Sequence, residues 1–158
     1  KLVIVPRHTE RIAETEAILR GRSVPFAKWS TGAVAGAGCL LVDAMGLLQA
    51  FYAASTVCFV GGTLDNTGGH NLLEPVFFSK PVLFGPDYSN ARQAGEKLIK
   101  ERGGFLVETA HEMAQKLSSL LADRPYLTAS GENAAKALHS LKGATGKNIA
   151  ILKVDIPS

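Results

Sequence analysis

The chain has 158 residues, of which 46% are hydrophobic, 20% charged and 7% aromatic, and 17 basic against 14 acidic side chains leave a net charge of +3. That mixture excludes intrinsic disorder, a collagen-like fibre and a disulfide scaffold, and the length suits one domain that buries roughly 68–70% of its unfolded surface. No stretch approaches the ~18 uninterrupted apolar residues of a membrane span, and a small excess without blocks of like charge fits a solvated shell better than a surface for anionic lipid or nucleic acid.

In chain order, short apolar runs alternate with helical patterns. Leu2–Val5, Cys39–Val42, Thr56–Val60, Pro81–Phe84 and Gly104–Val107 have strand length and are apolar throughout, as strands buried on both faces of a parallel sheet are. Helices are predicted over Thr9–Arg20, Ala44–Ala54, Asn71–Phe78, Ala91–Glu101 and Ala110–Leu121. Thr109 with Glu112 forms a capping box, and Asn90 with Gln93 suggests a second. After Arg124-Pro125 an Ala-rich helix runs to about Leu141; a loop over 142–147 follows, and Ile149–Val154 suits either a helical turn or a strand. The alternation predicts an α/β fold: a Rossmann-like parallel sheet with helices on both faces. Cys39 and Cys58 lie in strand-like runs and read as small buried hydrophobes of a reducing compartment. Lys1 leads directly into an apolar run, so the chain is expected to be the second half of something larger.

Ligands of open α/β sheets bind outside the carboxyl ends of the strands. Three loops there are unusual. Pro6-Arg7-His8 follows the first strand, and a guanidinium at that place suits a phosphate or carboxylate; a solvent-facing Arg is the plainer alternative. Asp43-Ala44-Met45-Gly46-Leu47 follows the second, with Gly46 permitting close backbone approach to a flat ligand; Asp43 as a helix N-cap with a packing Met fits as well. Gly61-Gly62-Thr63 and Gly68-Gly69-His70-Asn71-Leu72-Leu73-Glu74-Pro75 follow the third, and four glycines in nine residues imply positive φ or a close ligand. Asn71 would open a helix with free N–H groups for a phosphate, and Glu74 could accept from ribose hydroxyls; a flexible loop with a well-capped helix is the plainer alternative. The four histidines lack metal-ligand spacing, and GxSxG, GKS/GKT and CxxC are all absent.

These motifs together resemble the 3-deoxy-D-manno-octulosonic acid (Kdo) transferases. Pro6-Arg7-His8 with Glu10-Arg11 is similar to that family's PRHPER; Phe59–Thr63 and Gly68–Pro75 are similar to FVGGS and GGHNPLEP; Lys80–Pro86 matches KPVLFGP. The resemblance implies the C-terminal half of a GT-B glycosyltransferase that moves Kdo from CMP-Kdo to a lipid A precursor, at the cytoplasmic face of the bacterial inner membrane. It implies CMP contacts at Pro6, Arg7, Met45, Gly46, Leu47, Asn71, Leu72, Leu73 and Glu74. It assigns the general base, the acceptor site and the membrane anchor to a first domain, outside residues 1–158, which leaves no catalytic residue here. Two positions depart from the pattern: Leu47 stands where the family has the Glu of MGEL, and Leu72 where it has the Pro of NPLE. Scattered Asp43, Asp65 and Asp87 give no metal site, and no cofactor is expected. A UDP-sugar transferase or epimerase, or a nucleotide-binding module without chemistry, shares the fold and is the alternative.

Overall fold

A computed structural model describes residues 1–32, 36–65 and 67–142. The chain divides into two compact units at Phe51 and Tyr52.

The first unit holds β1 (Leu2–Ile4), α1 (Arg11–Gly21), β2 (Phe26–Lys28) and β3 (Cys39–Leu41). All pairing is parallel, in the order β1-β3-β2, with Leu2 and Phe26 opposite Cys39, and Ile4 and Lys28 opposite Leu41. The central strand carries the burial, since Cys39, Leu41 and Val42 are all inside. α1 begins at Arg11, later than the pattern predicts, and is laced by Arg11–Glu14 at 3.1 Å and Arg20–Glu16 at 3.6 Å. β2 escaped the sequence pattern: it is three residues long and ends in Lys28, whose ammonium pairs with Glu16 at 2.6 Å.

α2 (Leu48–Ala54) is shorter than the predicted Ala44–Ala54. Gly46 sits at φ +81°, outside any right-handed helix, so residues 44–47 are loop.

The second unit holds β4 (Cys58–Val60), α3 (Leu73–Phe77), β5 (Val82–Phe84), α4 (Arg92–Lys100), β6 (Gly104–Leu106), α5 (Ala110–Ala122) and α6 (Arg124–Lys142). Its strands pair in parallel, in the order β4-β5-β6. β5 explains why these strands are apolar throughout. Val82 and Phe84 pack with Val76 of α3, Leu98 of α4 and Ala134, Ala137 and Leu138 of α6, whereas Leu83 packs with Val107 and Leu120 and is flanked by Met113, Leu117, Tyr126 and Leu127. Both faces of this sheet are therefore covered by helices, and all three β5 residues are inaccessible to solvent. The parallel α/β class predicted from the sequence is what the chain forms.

Thr109 caps α5 as predicted: its Oγ1 accepts from Glu112 N–H at 3.1 Å, and Glu112 Oε2 accepts from Glu108 N–H at 2.8 Å. The cap predicted at Asn90 does not form. Asn90 lies in a 3-10 turn (Ser89–Ala91), and its carboxamide donates to the carbonyls of Gly69 at 3.3 Å and Thr67 at 3.4 Å. α6 is described through Lys142; the remainder of the predicted 142–147 loop and Ile149–Val154 lie outside the described residues. Both cysteines are buried free thiols, and burial pushes each above its ordinary pKa.

Candidate functional site

Parallel register sends the loops after β1, β2 and β3 off one edge of the first sheet. Pro6 is half-buried, and Arg7 is exposed just beyond β1. The loop after β3 is tied to the one after β2: Asp43 Oδ1 accepts from Ser30 N–H at 2.8 Å, Asp43 Oδ2 accepts from Ser30 Oγ at 2.6 Å, and Lys28 Nζ lies 3.6 Å away. The Ser30 hydroxyl first, and then its amide, hold the Asp43 carboxyl below the usual range. Asp43 thus does not cap α2, which starts only at Leu48. Met45 does not pack either, being 67% exposed. Gly46 has no atom within 4 Å of where a Cβ would sit, so its positive φ, not crowding, calls for glycine. Leu47 is half-buried and its carbonyl accepts from Phe51 N–H at 3.1 Å.

In the second unit the glycine loop leaves β4. Gly62, Gly68 and Gly69 have φ of +72°, +83° and +76°, so three of the four glycines adopt the left-handed region; Gly61 does not. Their close neighbours belong to the protein itself. A Cβ on Gly68 would strike the Asn90 carboxamide, and one on Gly69 would stand 2.7 Å from Thr63 Cγ2. Gly69 N–H donates to Gly62 O at 2.7 Å and closes the loop.

The β5–α4 loop then clamps it from the side. Asp87 Oδ2 accepts from Gly68 N–H at 2.6 Å, Asn90 N–H donates to Gly68 O at 3.0 Å, and Asp87 N–H donates to Thr63 O at 3.0 Å. The Gly68 amide is the main cause of an Asp87 pKa below the ordinary value. Thr63 is wholly buried; its hydroxyl donates to Val60 O at 2.8 Å and accepts from Gly85 N–H at 2.7 Å. Thr63, Asp87 and Asn90 set the loop's shape, and only the strand-end position of Asp87 signals this in the sequence.

The clamped loop delivers Asn71–Glu74. Asn71 is exposed, and its Oδ1 accepts from Leu73 N–H at 3.0 Å. This alters the predicted anion site: α3 starts at Leu73, has five residues, and its first amide is already occupied by Asn71. Leu72 is completely buried in the core, with Leu73 packed against the same cluster. Glu74 is half-buried, and Tyr52 has its hydroxyl pKa pushed up by burial first and by the Glu74 charge second.

Among the described residues no three His, Cys, Asp or Glu side chains are grouped to hold a metal, and no helix is long and apolar enough to cross a membrane. Pro6, Arg7 and Met45–Leu47 share one strand edge, and Asn71–Glu74 follow the clamped loop of the other unit.

Glycine-bearing loops at the carboxyl ends of parallel strands are where open α/β proteins hold their ligands. No protein-family model matches the chain. It is 35% identical over 160 residues to a 3-deoxy-D-manno-octulosonic acid transferase of Chlamydophila psittaci, covering 99% of this chain and 36% of that protein. It is 36% identical over 123 residues to a bifunctional glycosyltransferase/methyltransferase of Fusobacterium nucleatum, covering 75% of this chain and 19% of that one. A solved structure, the C-terminal CMP-Kdo binding domain of WaaA from Acinetobacter baumannii, superposes with a TM-score of 0.81 at 33% identity, over 86% of this chain and 72% of that domain. The chain belongs to the 3-deoxy-D-manno-octulosonic acid transferase family. It spans about a third or less of the length of the two full-length relatives.

Proposed function

We propose that residues 1–158 form one donor domain of a GT-B glycosyltransferase, holding CMP-Kdo for transfer to a lipid A precursor in lipopolysaccharide synthesis. The observation that carries this is the 0.81 TM-score to a CMP-Kdo binding domain at 33% identity. The proposed CMP contacts are Pro6, Arg7, Met45, Gly46, Leu47, Asn71, Leu73 and Glu74, with Leu72 behind them. Leu72 acts by seating the turn, since it is inaccessible to solvent. The absence of the family's acidic side chain at Leu47 leaves that loop to act through backbone groups.

In the proposed reaction an acceptor hydroxyl forms a bond to the anomeric carbon of Kdo while the bond from that carbon to the CMP phosphate oxygen breaks. Configuration inverts. The departing electron pair settles on the phosphate, where the fixed positive charge of Arg7 opposes the developing negative charge. The hydroxyl proton goes to a glutamate outside residues 1–158, which also leaves acceptor binding and attachment at the cytoplasmic face of the inner membrane to the rest of the enzyme. No metal or other cofactor enters this scheme.

Calorimetric titration with CMP and with UDP tests the donor assignment. CMP is expected to bind the tighter, and preference for UDP would replace this reading by that of a UDP-sugar enzyme.

A further inference from the structure

The described residues hold the chain's one tryptophan at the same sheet edge as Arg7 and the Met45–Leu47 loop. Trp29 follows β2 directly, and β2 is parallel to and in register with β3, so Trp29 lies at the carboxyl edge of the first sheet. It is 46% exposed there.

Its backbone is fixed from several sides. Ser30 is held by both oxygens of Asp43, Thr31 Oγ1 donates to Lys28 O at 3.1 Å, and Gly32 N–H donates to Trp29 O at 3.2 Å. Asp43 is two residues before Met45, so the same carboxylate fixes both loops. The indole meets Phe51 at 5.3 Å between centroids and 85° between planes. A perpendicular contact occupies at most one face of each ring, which leaves at least one indole face unused by Phe51. Among Phe26, Trp29 and Phe51, the aromatic side chains of this unit, Trp29 alone is classed as exposed.

A planar apolar face, half open and preset on the ligand edge of a nucleotide-binding sheet, matches one part of a nucleotide that charged and backbone groups do not serve: its base. We propose that Trp29 is the stacking platform for the base of the bound nucleotide, a binding residue beyond the loops assigned above. The inference rests on the CMP reading. Stacking accepts any base because every base has a π-face, so Trp29 supplies affinity and leaves the choice of base to hydrogen-bonding groups.

The single tryptophan makes the test direct. The 158-residue chain is titrated with CMP and with ribose 5-phosphate, which lacks a base, following both heat and indole emission. CMP is expected to quench emission as it binds, and ribose 5-phosphate to leave it unchanged. Trp29→Ala should weaken CMP by about fivefold or more and leave ribose 5-phosphate unaltered, whereas Trp29→Phe should retain most of the affinity. Heat on adding CMP without a change in emission overturns the stacking role, as does equal weakening of both ligands in Trp29→Ala. No CMP heat up to millimolar concentration instead overturns the nucleotide reading itself, and the stacking role with it.

Discussion

Arg7 and Glu74 separate ligand roles from structural ones by simple substitution. Arg7 is exposed at a strand's carboxyl end, so Arg7→Ala should weaken CMP binding by roughly 1.5–3 kcal/mol, the size of a charge-assisted hydrogen bond, with little effect on the melting temperature. Normal CMP affinity in that variant would remove Arg7 from the site. If Glu74 accepts from ribose hydroxyls, Glu74→Gln should lose about 1–2 kcal/mol of binding, because an amide oxygen still accepts without charge. Glu74→Ala should lose more and flatten the preference for CMP over its 2′-deoxy analogue; an unaltered ratio would leave Glu74 only a helix-dipole role of about 0.3–1 kcal/mol in stability. Asp87 gives a pH signature. Its native pKa is depressed, chiefly by the Gly68 amide, so its stabilising contribution is complete above the ordinary carboxylate range and is lost as pH falls through the native value. The stability difference between the unaltered chain and Asp87→Asn should be constant above about pH 5 and shrink below about pH 4. A difference that stays constant down to pH 3 would show that the carboxylate charge is not what holds Gly68.

At the scale of elements, the glycine loop after β4 is built by contacts that span nineteen or more residues, as in Asp87 to Gly68 and Thr63 to Gly85. Thr63→Val keeps the shape but leaves the buried Gly85 N–H without an acceptor, and should cost about 1–3 kcal/mol of unfolding free energy in denaturant titration. Thr63→Ser should cost clearly less, since it keeps the hydroxyl; equal losses would assign the effect to packing. The same distinction explains what the sequence reveals. β5 is legible because each face meets its own apolar cluster, which demands an uninterrupted apolar run. The cap at Thr109 is legible because its partner is three residues away. β2 is hidden because an edge strand of three residues, of which only Ala27 is buried, needs no such run. Asp43 and Asn90 look like helix caps locally, yet their polar groups are committed to Ser30, Thr67 and Gly69, partners that only the folded chain brings near. The candidate loops are legible from motifs, whereas the roles of Asp43, Thr63 and Asn90 in shaping them depend on partners distant in sequence.

For the molecule as a whole, the chain covers 36% of the Chlamydophila relative, and donor binding alone is proposed for it. The purified 158 residues are therefore expected to bind CMP but to show no Kdo transfer to a lipid A precursor; transfer by this chain alone would overturn the division of labour. The central claim is that CMP sits on the loops at the carboxyl ends of the strands. Mapping backbone amide chemical shifts of the labelled chain during a CMP titration tests it most directly. The largest saturable changes are expected in 7–8, 43–47 and 71–74, with UDP producing smaller ones at equal concentration. Saturable changes confined to other surfaces, or none at millimolar CMP, would contradict it.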